Sequence, residues 1–599
     1  MISSNKTKFY STKAFILVNF ALSGIQKFVY SIPSDGALKN LRGRSFYVNI
    51  LMEFLTDQFL DRFGLSRANV LYIGGGSVTL LLPNLKNIAS EIKNYSENIN
   101  KWLIQNFQSS LFLEYGYSQC SAYDFRTEYS KKYKEKVSFT NLISDAQIQI
   151  SEMKTHLFSA NNIRMMNASS YSEKSQASVD GERECKICQS TAKLIYHETQ
   201  DDYYCPICFA IQRNANSLLA YNVYKETDND RCNKELFSIE QRDEKEKAAF
   251  ILPFDKQVRI VNHETTKTEY VYNKNDIKIQ VNSGKYLWVG DYVGETTLEK
   301  MAKKAGGIDR IAVIRADVDN LGESFRKGFL GRPSSIERDT VSRKATYSRM
   351  LTLFFQYYIN GILEQGKYSL ENNKKSPIKR NTAIVYSGGD DLFIVGGWDD
   401  VIGFSVDLYQ AFKRYTQDKL TISAGIGIYP PKYPISAIAK ETGLLELYSK
   451  MNVGNELYAR DKDSITLFSE EFTFHWGCFI DKVLGEKYKL IKDVFDSKEC
   501  GERGTTFLHT ILLLMKNIQN SEISLARYAF LIARLEPKKN SKNKKYVDNY
   551  KKLKEKLYIW MKNACGKEQQ TNNDENDVKQ CIVAIYLYLY LRRKDDGRE

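Results

Sequence analysis

With 599 residues the chain exceeds what a single hydrophobic core holds, and at roughly 150 residues per domain it predicts about four domains. A hydrophobic fraction of 43% with 13% aromatics excludes an extensively disordered protein. The 86 basic residues exceed the 72 acidic ones by 14, for a pI near 9.0, which favours polyanionic partners, nucleic acid first, although solvated lysine-rich faces produce the same excess.

Lys6, Lys8 and Lys13 precede the apolar run Ala14 to Val18, as in a signal peptide, but Asn19 interrupts the run and Ser23-Gly24 marks a turn. A buried strand over Phe15 to Ala21 fits better. A helix is predicted from Ser45 to Phe63, then two short strands across Val70 to Leu82 that turn at Gly74-Gly75-Gly76-Ser77. Four polar or low-complexity stretches, Ser172 to Glu184, Lys225 to Lys247, Leu370 to Lys379 and Gly566 to Asp577, read as loops or linkers.

Between the first two of these lie Cys185-x-x-Cys188 and Cys205-x-x-Cys208, separated by 16 residues, the spacing of a closed four-thiolate zinc ribbon with a structural role. Disulfides fit poorly with a chain lacking an export signal, and a redox dithiol lacks its βαβ context. The other six cysteines are scattered and read as core residues.

A second α/β segment, residues 306–470, weakly repeats the first, residues 14–165. Its strand Ile311 to Asp317 leads through Asp319-Asn320-Leu321-Gly322 into a helix. The strands Thr382 to Tyr386 and Leu392 to Val395 flank Gly388-Gly389 as a tight hairpin, and Thr421 to Tyr429 adds another strand. Matching Tyr72 with Tyr386 sets Gly74-Gly75 on Gly388-Gly389 and Gly76-Ser77 on Asp390-Asp391. Beyond Phe472 apolar residues recur at helical spacing in Phe507 to Met515, Ile523 to Leu535, Tyr546 to Met561 and Val578 to Leu591. The longest apolar run, Cys581 to Leu591, is far short of the roughly 20 residues a membrane helix needs, so a soluble, cytoplasmic protein is expected.

Nucleotidyl transfer requires carboxylates that converge on divalent cations. Asp317 at a strand end and Asp390-Asp391 on a neighbouring hairpin supply hard oxygen ligands for Mg2+ or Mn2+, with Asp319 a further ligand or a helix cap. Free N–H groups around Asn320 to Gly322 would cradle a triphosphate. Asp-Gly clusters often make turns and nothing more; the flanking apolar strands and the upstream Asp-x-Asp favour catalysis here. None of the five histidines is followed by aspartate, so a histidine-aspartate phosphohydrolase site is not encoded.

Together, Ser23 to Phe28 with Leu41 to Phe46, the four-cysteine ribbon, Ala316 to Gly322 and Ser387 to Leu392 resemble, in family order, the large palm-domain subunit of type III CRISPR effector complexes of the Csm (III-A-like) kind. The resemblance implies an α+β multidomain protein. Its parts are a degenerate first ferredoxin-like, GGDEF/cyclase-like palm (1–165), a zinc-ribbon linker domain (166–305), a second, catalytic palm (306–470) and a helical C-terminal domain (471–599). It further implies that two ATP molecules meet between the palms and that target RNA, paired with the guide RNA, triggers cyclic oligoadenylate synthesis. Asp317, Asp390 and Asp391 would be catalytic metal ligands, with Ser387, Gly388, Gly389 and Asn320 around the nucleotide and Lys450 contacting phosphate. Gly74, Gly75, Gly76 and Ser77 would hold the acceptor ATP.

Expected partners are the guide and target RNAs and the small helical, guide-tag-binding and backbone subunits, with no membrane. Many members begin with a histidine-aspartate nuclease, whereas this chain reaches its first palm within about twenty residues; no DNase activity is expected. Ala21 stands where the family often has aspartate, consistent with a first palm that binds without catalysing. A catalytically silent scaffold would make no adenylate product, and a standalone nucleotide cyclase would turn over GTP without RNA.

Overall fold

The computed structural model describes residues 6–33, 36–125, 139–168, 183–190, 194–197, 201–220, 223–228, 249–254, 256–260, 271–275, 284–327, 340–371, 376–497, 503–516, 522–534, 536–537, 543–564 and 573–593. Most of the four polar stretches lies outside these residues, as do three of the scattered cysteines; the other three, Cys120, Cys478 and Cys581, are fully buried.

The first sheet contains β1 (Phe15–Ser23), β2 (Val70–Gly74), β3 (Ser77–Pro83) and β4 (Phe112–Cys120), in the spatial order β2-β3-β1-β4. On β1, Ile16, Leu17 and Val18 are buried consecutively, as a strand covered on both faces requires, and beyond them buried Phe20 and Leu22 alternate with half-buried Asn19, Ala21 and Ser23. The helix Ala37–Asp61 packs on this sheet and starts well before the predicted Ser45. The polar stretch Leu38 to Arg44 hid its first turns, because Arg44 is buried rather than solvated. Its guanidinium donates to the carbonyls of Phe28 and Ser31, lies 4.8 Å from the centre of the Phe28 ring and donates to Cys208 Sγ at 3.1 Å.

The linker contains a short hairpin, β5 (Ile195–His197) and β6 (Asp202–Tyr204), beside the cysteines. It also holds a sheet that the sequence did not suggest, in the order β11-β10-β7-β9-β8. Its strands are β7 (Val223–Asp228), β8 (Ala249–Leu252), β9 (Lys256–Ile260), β10 (Val271–Lys274) and β11 (Gly284–Leu287).

The second large sheet contains β12 (Ile311–Val318), β13 (Thr382–Gly388), β14 (Asp391–Gly397), β15 (Ile422–Tyr429), β16 (Ser464–Leu467) and β17 (Thr473–His475). Its order β13-β14-β12-β15-β16-β17 repeats that of the first sheet and extends it at one edge. The registers agree in detail. Ala21 lies opposite Ser77 as Asp317 lies opposite Asp391; Gly74 pairs with Ser77 as Gly388 pairs with Asp391; and each hairpin has its register shift just before Tyr72 or Tyr386. The repeat legible in the sequence is thus a repeat of topology.

The C-terminal helices Arg503–Lys516, Glu522–Arg534, Lys544–Ala564 and Asp577–Arg592 overlap the four predicted apolar runs. The last is buried along most of its length and joins the core of the second sheet. A polar latch fastens the same junction. The ring of His475, buried at the end of β17, has Nδ1 on the Asp574 carboxylate and Nε2 2.8 Å from the Arg460 carbonyl, so both nitrogens meet acceptors. Asp574 also accepts from the His475 N–H and from Asn455 Nδ2, at 2.8 and 2.9 Å.

Burial disfavours the imidazolium, but the Asp574 hydrogen bond and charge outweigh it, so the His475 pKa is raised above 6.5. A folded pKa above the unfolded one contributes stability that is complete below about 6.5 and is lost as pH rises through the folded value. Denaturation midpoints should therefore fall as pH climbs from about 6 to 8, and His475→Gln should flatten that slope.

Candidate active site between the two palms

Strand β12 carries Asp317 to its end, and the glycine-rich turn lifts Asp390 and Asp391 beside it. Gly389 makes the turn possible with φ of 56°, and the Val318 N–H donates to the Asp390 carbonyl at 3.2 Å, tying turn to strand. Burial and mutual repulsion penalise the charges. Asp390 is pushed up to about 6 by burial and then by Asp317. Asp391 is raised well above the ordinary carboxylate range by burial, Asp390 and Asp317. Asp317 is raised by burial despite the ammonium of Lys450, which pairs with it and with Glu446 Oε1 at 2.9 Å; Arg315 Nε in turn pairs with Glu446 Oε2 at 3.1 Å.

The donor set suits a hard divalent cation. Three half-buried carboxylates share a place where ionisation needs positive charge, and a lysine ammonium already stands against one of them. Among the described residues, however, the four cysteines are the one group of three or more His, Cys, Asp or Glu whose ligand atoms all lie within 4.8 Å of one another. Asp319 is held apart, buried, with Oδ2 accepting from Thr421 Oγ1 at 2.8 Å and from the Asp463 N–H at 3.1 Å.

The degenerate turn faces this one directly. A Cβ on Gly388 would lie 3.5 Å from the Gly75 Cα, and a Cβ on Gly389 would lie 2.8 Å from the Tyr72 hydroxyl. Tyr30, Tyr72 and Tyr386 gather at the contact. Burial and then nearby carboxylates push the Tyr72 and Tyr386 hydroxyls upward; burial and Asp391 do the same to Tyr30 against the opposing charge of Arg315, so all three stay protonated donors.

Cavities open on both sides of the touching turns. One of about 530 Å³ is lined by Gly74, Gly75 and Ser77 of the first palm and by Leu321, Gly322, Gly389 and Asp390 of the second. The other, about 360 Å³, is lined by Ser23 to Lys27, Tyr30, Gly75, Lys154, Tyr386 and Asp391. Both fall in the range of small-molecule sites.

Other predicted residues lie outside the two linings. The Ser387 hydroxyl is buried and donates to the Phe355 carbonyl, so the structure does not bring it to either cavity. Asn320, at φ 53°, accepts from Lys462 Nζ at 2.6 Å, and the Gly76 carbonyl accepts from the Leu22 N–H at 2.8 Å. Sequence reasoning missed Tyr30, Arg315, Glu446 and Lys154. Lys154 had a legible signal: it is the penultimate residue of the helix Phe139–Thr155, as Lys450 is of Ile435–Met451. Each helix follows the fourth strand of its repeat. Glu114, opposite Ala21 on β4, is fully buried, and burial raises its carboxyl.

The cysteines form the second centre. Cys185 and Cys188 sit on a tight knuckle in which the Gln189 N–H donates to the Cys185 carbonyl at 2.8 Å; Cys205 and Cys208 lie at the start of the helix Pro206–Ala220. Cys188 Sγ is 3.7 Å from Cys205 Sγ. Thiolates about 2.3 Å from a tetrahedral zinc stand roughly 3.8 Å apart, so the residues fit that ion.

Two matched sheets meeting through glycine turns, one with acids and one without, define a palm-domain protein that handles nucleotides. Residues 14–169 match the Csm1 subunit domain B, residues 310–461 the second palm domain of Cas10/Cmr2, and residues 492–594 the second helical domain of the Cmr2 subunit of the CRISPR RNA silencing complex. The chain is 34% identical to the Cas10/Csm1 single-strand-specific deoxyribonuclease (subtype III-A) of Mycobacterium tuberculosis, over 98% of this chain and 68% of that one. It is also 34% identical to its Streptococcus thermophilus counterpart, over 98% and 69%. The chain therefore belongs to the Cas10/Csm1 family of subtype III-A large subunits.

Solved structures share the fold. An apo Csm1–Csm4 cassette aligns with a TM-score of 0.68 at 20% identity, covering 98% of this chain and 71% of that one. A Csm1–Csm4 cassette with one ATP scores 0.68 at 20% identity, covering 97% and 70%, and one with cA4 scores 0.62 at 20%, covering 92% and 71%. No helix among the described residues is long and apolar enough to cross a membrane.

Proposed function

We propose that this chain is the RNA-activated nucleotidyltransferase of a type III-A CRISPR complex, joining ATP into cyclic oligoadenylate at the turn carrying Asp390 and Asp391. The observation that supports this most is the asymmetric contact: an acid-bearing glycine turn against its acid-free copy, with a nucleotide-sized cavity on each side. The domains are those read from the sequence, with ferredoxin-like palms at 1–165 and 306–470, the zinc-ribbon linker at 166–305 and the helical domain at 471–599.

In each step a ribose hydroxyl oxygen bonds to the α-phosphorus of a second ATP, or in ring closure to that at the other end of the same chain, while the bond to pyrophosphate breaks and the hydroxyl proton leaves to solvent. Asp317, Asp390 and Asp391, with Asp319 nearby, would hold Mg2+ or Mn2+, which when bound lowers the pKa of the hydroxyl and stabilises charge on the leaving group. Gly388, Gly389 and Asp390 present the donor nucleotide; Gly74 to Ser77, the start of the short helix Ile25–Tyr30 and Lys154 hold the acceptor; Lys450, drawn off Asp317, contacts phosphate. Zinc would sit in the four-cysteine site and leave no open position for catalysis.

Related structures carrying ATP or cA4 bear those ligands in the same fold, which favours an adenylate product over a silent scaffold. A Csm4-type subunit, guide RNA and target RNA are the partners that follow. The absence of adjacent histidine and aspartate in the chain favours nucleotide chemistry here over DNA cleavage. The assembled complex, given ATP, Mg2+ and cognate target RNA, should release oligoadenylate identifiable by mass spectrometry. No adenylate product, or GTP turnover without RNA, would refute the reading.

A further inference from the structure

The larger cavity has two ends of different chemistry. At one end are the touching turns and Asp390. The other is lined by the apolar side chains Leu71, Phe139 and Ile143 and by two amides, the half-buried Asn19 and the exposed Gln147. Asn19 lies on β1 opposite Thr79, two residues before Ala21 and so on the same face of the sheet, about 7 Å further along the strand.

Its Oδ1 is buried without a hydrogen-bond partner, and it is the one such side-chain atom among the residues lining the cavity. An orphaned buried acceptor is unfavourable unless a ligand completes it. The equivalent position on β12 is Arg315, which is occupied by Glu446. The demand for a donor therefore arises in one cavity.

We infer that Asn19 reads the base, its Oδ1 accepting a hydrogen bond from the exocyclic amine of a 6-aminopurine nucleotide whose phosphates lie toward Asp390. This rests on the nucleotidyltransferase reading. An amide is the side chain that pairs with adenine through its 6-amino group, and the apolar walls suit a flat ring. A site built to receive that amine leaves its own acceptor unpaired when the amine is missing.

The full chain can be titrated calorimetrically with ATP and with purine riboside triphosphate, which lacks only the amine, and fitted to two sites. The wild type should show at one site about a tenfold preference for ATP, the worth of one neutral hydrogen bond. Asn19→Leu should lose that preference, whereas Asn19→Asp, which keeps an acceptor, should retain it; packing alone would not separate these variants. Asn19→Ser, too short to reach, serves if the leucine variant does not fold. Preference at both sites unchanged in Asn19→Leu, or no preference in the wild type, overturns the role of Asn19 and leaves the nucleotide sites standing. Failure of the wild type to bind either nucleotide overturns both this role and the nucleotidyltransferase reading beneath it.

Discussion

Replacing Asp390 and Asp391 together by alanine should reduce oligoadenylate synthesis by at least about a thousandfold, the loss expected when the groups stabilising transition-state charge are removed. Binding of guide and target RNA should persist, because both side chains lie at the inter-palm contact and neither takes part in a structural ion pair among the described residues. The fold should tolerate the change. Burial and mutual repulsion raise both carboxyls, so the acids strain the apo protein more than they support it, and removing them should leave thermal stability equal or slightly higher. Lost synthesis with unchanged or improved melting would mark the turn as functional. Lost synthesis with a large drop in melting temperature would mark it as structural, and product formation at the wild-type rate would refute the assignment of catalysis to this turn.

Much of this site was legible because turns and metals leave short-range signatures. The Gly-Gly-Asp-Asp turn needs positive φ at Gly389, and its acids must follow immediately. The four thiolates need fixed loop spacings. Even the pairing of Gly76-Ser77 with Asp390-Asp391 could be read, since the flanking strands keep a period of two and the registers repeat. The residues that escaped depend on distant parts of the chain. Tyr30 closes the short helix Ile25–Tyr30 and packs on Phe393 with ring centres 4.7 Å apart, which no local pattern encodes. Glu446 matters because Arg315 and Lys450 converge on it. Arg44 reads as surface until Cys208 and two carbonyls are brought to it. The sheet formed by β7 to β11 escaped for another reason: its strands are short and separated by polar segments, so alternation never runs long enough to stand out.

Zinc removal is the other change expected to act strongly, and its effect should spread beyond the ribbon. Cys185, Cys205 and Cys208 are buried together with Ile187, Ile207, Phe209 and Ile211 in the same core as the first palm. Without a cation the four thiolates would repel one another until they part or take up protons, and either change weakens the acceptor that Arg44 uses. A buried guanidinium that loses a partner destabilises by about 3–5 kcal/mol, which for a domain of this size shifts the melting temperature by roughly 10 °C. Strong chelation, or Cys185→Ser with Cys208→Ser, should release one zinc per chain, lower the melting temperature by that order and open residues 183–212 to protease. Arg44 also holds the carbonyls of Phe28 and Ser31, on either side of Tyr30, which lines the smaller cavity and faces Asp391. Nucleotide affinity at that cavity should therefore fall on zinc loss although no cysteine touches it, while the larger cavity, lined from β1, β2, β3, the helix Phe139–Thr155 and the second palm, keeps its affinity. Equal weakening at both cavities would instead mean that the first palm unfolds as a whole, and two-site calorimetry on the zinc-depleted chain separates the two outcomes.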